Sequence, residues 1–140
     1  VVNFIPQVND LVRAVALSGG ILYIGGEFNL INSVTHNRIA ALDAQGAAIP
    51  GFNPNANDVV RTLAVSGGTI YAGGDFTSIG SLPRNRVAAI NPAGTALSAF
   101  NPSADATVHS IAASSGRIVA GGDFTSIGGQ ARGRIGFLSP

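Results

Sequence analysis

Residues 73–80 read GGDFTSIG, and the same eight letters return at residues 121–128. A diverged copy, GGEFNLIN, stands at residues 25–32, again 48 positions away. Arg38, Arg86 and Arg134 keep the same offset, and no insertion breaks the register between them. Self-similarity at a fixed period is the signature of a repeat architecture. The chain is therefore built from three copies of one unit.

The middle copy indicates what one unit folds into. Short runs rich in β-branched and small apolar residues alternate with the turn signals Ser66-Gly67-Gly68 and Pro92-Ala93-Gly94. The runs cover residues 59–65, 69–76, 86–91 and 95–100. No segment has a helical period of ten residues or more. Four strands in 48 residues predict an all-β fold, a β-propeller of three four-stranded blades. A β-solenoid is the alternative, but its coils are shorter.

The phase of the repeat bears on how the propeller closes. The blades are expected at about 5–52, 53–100 and 101–140, within one propeller region spanning 1–140. Residues 1–4 align with the predicted fourth strand, whereas the chain ends on a third strand. Propellers have roughly four to eight blades, so three cannot close a ring. We expect a homodimer with six blades, in which Val1–Phe4 lies beside Ile135–Leu138 of the second copy. A trimer would give nine blades.

Composition excludes several classes of function. Charged residues make up 11% of the chain, and the net charge is +1. The basic residues are dispersed arginines, which argues against nucleic-acid binding. No apolar run approaches the roughly 18 residues that suggest a membrane span, so no membrane insertion is expected. Cysteine is absent, which excludes disulfides and thiolate chemistry.

One polar constellation is a candidate binding site. Arg13, Arg61 and His109 occupy the same position near the start of the first strand of each repeat. If that strand is innermost, they lie at the mouth of the central channel, where a dimer would gather four arginines and two histidines. The functional interpretation is an anion-binding mouth. The structural interpretation is that these groups pair with nearby acids such as Asp10 and Asp58.

The remaining polar residues favour structural roles. An acid stands eleven residues before each repeated arginine, and the predicted pairs are Glu27 with Arg38, Asp75 with Arg86 and Asp123 with Arg134. A pair present in every copy does not suit catalysis, which needs one asymmetric site. No catalytic residue is assigned, and His36 is expected to be exposed.

Metal and cofactor sites are not predicted either. Asn55, Asn57 and Asp58 could supply calcium ligands, but turn formation explains them equally well. We therefore expect no metal and no cofactor.

The motifs GGDFTSIG, RNRVAAIN and FNP together resemble a bacterial family of secreted β-propeller repeats of unknown function. The resemblance implies a propeller used for adhesion, scaffolding or ligand display on the bacterial surface, and hence a secreted or cell-surface location. We expect a non-enzymatic binding or scaffold module, with a small molecule or a glycan as the candidate ligand. Three alternatives remain open. The chain could be a propeller fragment with a purely structural role. It could be a lectin-like carbohydrate binder, although it has few aromatic residues. It could also be a hydrolase or lyase.

Overall fold

The computed structural model describes residues 3–140. Each repeat contributes five strands, and no helix occurs in the described range. The first repeat has β1 (Val12–Ser18), β2 (Ile21–Gly26), β3 (Leu30–Ile31), β4 (Val34–Thr35) and β5 (Ile39–Leu42). The second has β6 (Val60–Ser66), β7 (Thr69–Gly74), β8 (Ser78–Ile79), β9 (Leu82–Pro83) and β10 (Val87–Ile90). The third has β11 (Val108–Ser114), β12 (Arg117–Gly122), β13 (Ser126–Ile127), β14 (Gln130–Ala131) and β15 (Ile135–Leu138).

The long strands form three antiparallel sheets, one in each repeat. The strand orders are β1-β2-β5, β6-β7-β10 and β11-β12-β15, with the second strand of each repeat in the centre. The same register therefore recurs along the chain, and the predicted all-β fold is confirmed. No helix that could cross a membrane occurs between residues 3 and 140.

The predicted fourth strand is wrong, because it is reduced to an isolated bridge. Ile90 bridges Ala96, and the Leu97 amide donates to the Ala89 carbonyl at 2.8 Å. The chain then turns, since the Phe100 amide donates back to the Leu97 carbonyl at 3.2 Å. A turn so soon after the bridge ends the pairing. The sheets that the structure describes are three-stranded, and the first repeat has the same bridge.

Residues 77–85, which lie between the predicted strands 69–76 and 86–91, contain a short hairpin, β8-β9, and each repeat has its equivalent. In the second and third repeats, a glycine with positive φ opens the turn of this hairpin, at Gly80 and Gly128. The first repeat has Asn32 there, with φ of 49°. Asparagine tolerates the left-handed region better than most residues, so the diverged copy keeps the hairpin.

The sheets pack face to face in chain order, with β6 lying between β1 and β11. The first strands of successive repeats are thus neighbours, as the inner strands of propeller blades are. One buried cluster joins the first sheet to the second, and another joins the second to the third. Four phenylalanines that recur at the repeat period are buried; they are Phe52, Phe76, Phe100 and Phe124. Most of the apolar core therefore lies between repeats.

A β-bulge interrupts the first hairpin of every repeat. In the second repeat the register shifts between Val60 and Thr62, so Arg61 is the extra residue. The strand opposite contains Gly74, where a Cβ atom would lie 2.1 Å from the Val59 carbonyl oxygen. Only glycine allows so close an approach. The repeated Gly-Gly pair therefore helps to set the bulge.

The N-terminal segment is only partly described. Val1 and Val2 lie outside the described residues, so the predicted pairing of residues 1–4 with a second copy cannot be followed there. Phe4 belongs to no strand and is 37% exposed. Its equivalents Phe52 and Phe100 are buried.

Candidate functional site

The bulges present one side chain from each repeat at the same end of the first strands. These side chains belong to Arg13, Arg61 and His109. A bulge re-aims the side chain of the extra residue, and bulges are frequent next to functional sites. Because β1, β6 and β11 are neighbours, the three groups form a row, which we call the charged rim together with their acidic partners. This is the constellation that the sequence singled out.

Each basic group of the rim is paired with the acid that follows the Gly-Gly motif of its own repeat. Arg61 donates from Nε and Nη2 to Oδ2 of Asp75, at 3.0 and 2.7 Å. Arg13 pairs with Glu27 in the same way. In the third repeat, Nε2 of His109 lies 2.9 Å from Oδ2 of Asp123.

These contacts correct the predicted pairing of the same acids with Arg38, Arg86 and Arg134. Arg86 instead uses its main chain: its amide donates to the Phe76 carbonyl at 2.9 Å, and its carbonyl accepts from Gly74 at 3.0 Å. Its φ is 67°, and the other two arginines also have positive φ. The repeated arginine therefore marks a distinctive backbone conformation. Its side chain forms no ion pair in the described residues.

Asp10 and Asp58 do not join the charged rim. Each accepts a hydrogen bond from the amide of the next residue, Leu11 or Val59, at 2.7 Å. The predicted pairing of Asp10 and Asp58 with Arg13 and Arg61 is therefore wrong, because the arginines pair with Glu27 and Asp75 instead. Asp58 acts on Arg61 only through a longer-range electrostatic effect that raises the pKa of Arg61.

Asp75 is the most strongly held acid of the rim. Its Oδ1 accepts a hydrogen bond from the Thr107 hydroxyl of the next repeat at 2.7 Å. Burial alone would raise the pKa of Asp75, but the hydrogen bonds from Arg61 and Thr107 outweigh it, so the pKa lies below its usual value. The same contact with Asp75 raises the pKa of Arg61. The pair is ionised at neutral pH, and the hydrogen bond from Thr107 connects it to the next repeat.

The basic groups of the rim are already engaged. Each of the two arginines and the histidine contacts one of three carboxylates. Arginines that are already paired with carboxylates offer little attraction to a free anion. The geometry therefore favours a structural role for the charged rim, which at Asp75 also connects two repeats, over an anion-binding mouth.

A second set of polar residues includes Asn57, for which the sequence left turn formation and calcium binding open. Oδ1 of Asn57 accepts from the amides of Thr77 and Ser78, at 2.8 and 3.0 Å, and so fastens the β8-β9 hairpin. Asn9 and Asp105 do the same in their repeats. We call this set the hairpin latch: Asn9, Asn57 and Asp105. The signal available in the sequence was the recurrence of an Asx residue at one position.

The latch also bears on the calcium alternative. The side-chain oxygen of Asn57 already accepts hydrogen bonds from two main-chain amides, so it is not free to ligate an ion. Within residues 3–140, no three His, Cys, Asp or Glu side chains cluster as metal ligands would. In Asp105, hydrogen bonds from the Thr125 hydroxyl and from the Ser126 and Thr125 amides lower the pKa to about 2.

His36 corrects another expectation. It was predicted to be exposed, but it is 2% exposed, and its Nδ1 atom has no hydrogen-bond partner. Burial lowers its pKa, so the ring is neutral at pH 7. Its counterpart in the second repeat is the buried Arg84. The sequence offered one signal for this burial: the first copy has a histidine where the other two copies have an arginine.

One of two similar solved structures, the first described below, agrees with the fold. The computationally designed Ika8 protein matches with a TM-score of 0.53 at 15% identity, over 86% of this chain and 35% of that chain. The present chain thus spans about a third of that protein. The computationally designed Ika4 protein matches with a TM-score of 0.45 at 11% identity, over 95% of this chain and 93% of that chain.

Comparison of sequences adds a family resemblance. No curated protein matches the chain. Residues 68–96 and 113–135 match the family described as "Domain of unknown function (DUF5122) beta-propeller". The two segments cover less than half of the chain and fall in the second and third repeats, where the motifs are best kept. The chain therefore carries β-propeller repeats similar to those of a family whose function is unknown.

Proposed function

We propose that the chain is a non-enzymatic β-propeller scaffold that closes its ring by associating with a second copy of itself. The observation that supports this is a contrast in burial at equivalent positions. Faces that are covered between the repeats are open at the two ends of the array. Because every repeat is the same unit, the surface that is complementary to an open face belongs to another repeat.

The open face of the first repeat is the leading surface, formed by Val12, Val15 and Leu17. Val15 is 63% exposed, whereas its equivalent in the second repeat, Leu63, is 8% exposed. Val12 is 42% exposed, and its equivalent Val60 is fully buried, at 0%. In the second repeat these positions pack against the preceding sheet.

The open face of the third repeat is the trailing surface, formed by Val119, Ile135 and Phe137. Ile135 and Phe137 are 64% and 61% exposed, whereas their equivalents Val87 and Ala89 are 0% and 1% exposed. Burying a large apolar side chain contributes about 1.5–3 kcal/mol. Covering both surfaces of each copy would thus supply a substantial driving force.

Polar groups on the two surfaces also complement each other. Between the second and third repeats, the buried Thr62 hydroxyl accepts a hydrogen bond from the Ile111 amide at 3.0 Å. The equivalent hydroxyl of the third repeat is Ser110, which is exposed. On the second copy, the equivalent amide is that of Val15. Docking of the trailing surface on a leading surface would recreate this bond.

Two copies satisfy both surfaces at once. Each leading surface would cover the trailing surface of the other copy, and the closed arrangement has two-fold symmetry. Six blades fall within the usual range for propellers, whereas three copies would give nine. The homodimer is therefore the assembly that we propose.

The pairing of the acidic side chains, which would be the candidate catalytic groups, supports the scaffold role. Every acid of the charged rim is engaged by a basic partner from its own repeat. The same arrangement recurs three times, and a catalytic site needs one group that differs from its counterparts. We propose that the outward loops display a surface to a small molecule or a glycan, in a secreted or cell-surface setting.

The test is the mass of the purified chain in solution by light scattering and native mass spectrometry. We expect twice the chain mass of 14.0 kDa. Val15→Asp and Phe137→Asp should each yield monomers, because a charge cannot be buried unpaired in the interface. Val34→Asp is the matched control, since Val34 is also 58% exposed but lies on the β3-β4 hairpin. A wild-type monomer would overturn the proposed ring, and a trimer would replace six blades with nine.

A further inference from the structure

One position of the repeat holds a buried cation in the second copy and a neutral ring in the first. Arg84 is 5% exposed, and its guanidinium group donates to three main-chain carbonyls. The acceptors are Pro83 at 2.7 Å, Leu97 at 3.1 Å and Ser98 at 3.2 Å. No carboxylate of residues 3–140 forms an ion pair with it. The second repeat thus contains a guanidinium site built from carbonyl oxygens.

His36 occupies the same position in the first repeat. Its amide donates to the Asn29 carbonyl at 3.0 Å, as the Arg84 amide donates to Thr77 at 2.9 Å. The two side chains therefore leave the backbone at equivalent points. The imidazole is shorter than an arginine side chain, and it makes no hydrogen bond to the carbonyls that correspond to the acceptors of Arg84. Those are the carbonyls of Thr35, Ile49 and Pro50.

The missing guanidinium group leaves space. A cavity of about 450 Å³ lies beside His36, and its walls include Thr35, Ala48, Pro50 and Asn53. The buried Nδ1 atom of His36 has no hydrogen-bond partner, and neither has Nε of Arg84 in the second repeat. Nδ1 is therefore available to accept a hydrogen bond from a group that enters the cavity.

A second substitution accounts for the opening of the cavity. In the second repeat, a Cβ atom at Gly80 would lie 2.4 Å from the Ala96 nitrogen. The first repeat has Asn32 at this position, so the segment around Ala48 cannot approach as closely. The bond from the Ala96 amide to the Gly80 carbonyl, at 3.4 Å, has no counterpart in the first repeat. Gly→Asn and Arg→His thus act together at one place.

We propose that the cavity beside His36 binds a guanidinium group supplied from outside the chain, either an arginine side chain of a peptide or a small free guanidinium compound. The second repeat supports this proposal, because its own Arg84 fills the equivalent space. Guanidinium is planar, has several N–H donors and is weakly hydrated, which suits burial among carbonyl oxygens. A neutral His36 adds an acceptor and does not repel the cation.

The site is independent of the proposed ring. Its walls share no residue with the leading or trailing surface, so binding is expected whether or not the chain dimerises. Failure of the dimer test and failure of the binding test are therefore distinguishable.

The experiment is an NMR titration of the isotope-labelled chain with methylguanidinium and with acetyl-arginine amide. We expect saturable shifts confined to the amides around His36, Ala48 and Asn53. Methylammonium and acetyl-lysine amide, which lack the planar fork, should bind at least about tenfold more weakly. Tighter binding of acetyl-arginine amide than of methylguanidinium would identify a peptide arginine as the ligand. Equal binding would favour a free compound.

Two variants make the test decisive. His36→Arg provides the guanidinium group from within, so the shifts should disappear while the melting temperature is kept or raised. The double substitution Gly80→Asn with Arg84→His copies both changes of the first repeat and should create a second site near Ser98. Shifts that persist in His36→Arg, or that ammonium compounds reproduce at equal strength, would overturn the proposal. If His36→Arg does not fold, the gain or absence of the second site in the double variant decides.

Discussion

Val119 and Phe137 are cross-strand partners at the place where the other two repeats pair a tyrosine with an alanine. In the second repeat, Tyr71 lies opposite Ala89, and its ring meets Phe100 edge to face with centroids 5.5 Å apart. The third repeat keeps one aromatic ring in the pair but moves it to the outer strand. The trailing surface therefore offers Phe137, and on a second copy the equivalent of Phe100 is Phe4.

The first prediction follows from this exchange of the aromatic ring. Phe137→Ala should weaken dimerisation by roughly ten- to a hundredfold, because it removes the largest apolar group of the trailing surface. The double substitution Val119→Tyr with Phe137→Ala restores the pair found in the second repeat, and it should recover most of the loss. Sedimentation equilibrium measures both. Undiminished association of Phe137→Ala would exclude this packing.

The second prediction compares two glycines of the Gly-Gly motifs. At Gly73 a Cβ atom would lie 2.7 Å from Cγ1 of Val108 in the next sheet, whereas at Gly121 it would lie no closer than 3.2 Å to any atom. Gly73→Ala should lower the free energy of unfolding by about 1–3 kcal/mol, as overpacking does. Gly121→Ala should leave the monomer unaffected but impair dimerisation, because the second copy would approach there. Chemical denaturation and light scattering separate the effects. Equal behaviour of both variants would contradict the proposed docking.

The third prediction concerns Asp75 of the charged rim. Asp75→Ala should lower the free energy of unfolding by about 1–3 kcal/mol, because it leaves Arg61 half-buried without its partner and the Thr107 hydroxyl without its acceptor. Asp123→Ala is the matched control: its pair with His109 is more exposed, and the loss should stay below about 1 kcal/mol. Urea denaturation checks both values. If Asp123→Ala lost as much stability as Asp75→Ala, the stabilising role assigned to Asp75 in the charged rim would be wrong.

These results also explain which features the sequence could predict. The offset of 48 residues and the turn signals sufficed for the repeats and for the long strands. The partner of Asp75 was missed because a bulge turns Arg61 toward it, and the bulge depends on the approach of the Val59 carbonyl to Gly74. Such an approach is a three-dimensional property. The burial of His36 could have been inferred by comparing it with Arg84, since equivalent positions of a repeat share their environment.

The fourth prediction uses the hairpin latch of the third repeat. The pKa of Asp105 is lowered to about 2 in the folded chain, so its stabilising effect is fully present above the unfolded value near 3.8. This effect is lost as the pH falls through about 2. Asp105→Asn keeps an oxygen acceptor and should flatten the dependence of the melting temperature on pH between about 4 and 2. The converse, Asn57→Asp, should steepen it. Calorimetry over this range is the measurement, and an unchanged profile in both variants would refute the assignment.

The order of the inner strands, with β6 between β1 and β11, has a consequence for how the protein unfolds. Each repeat is supported only by its sequence neighbours, so the separate chain behaves as a linear array whose end repeats have one neighbour and can fray. In a closed ring every repeat would have two neighbours, and no end would remain from which unfolding could begin. Amide hydrogen exchange should therefore be slowest in β6 and β7 of the monomer and become uniform in the dimer. Ring closure would thus turn gradual fraying into cooperative unfolding.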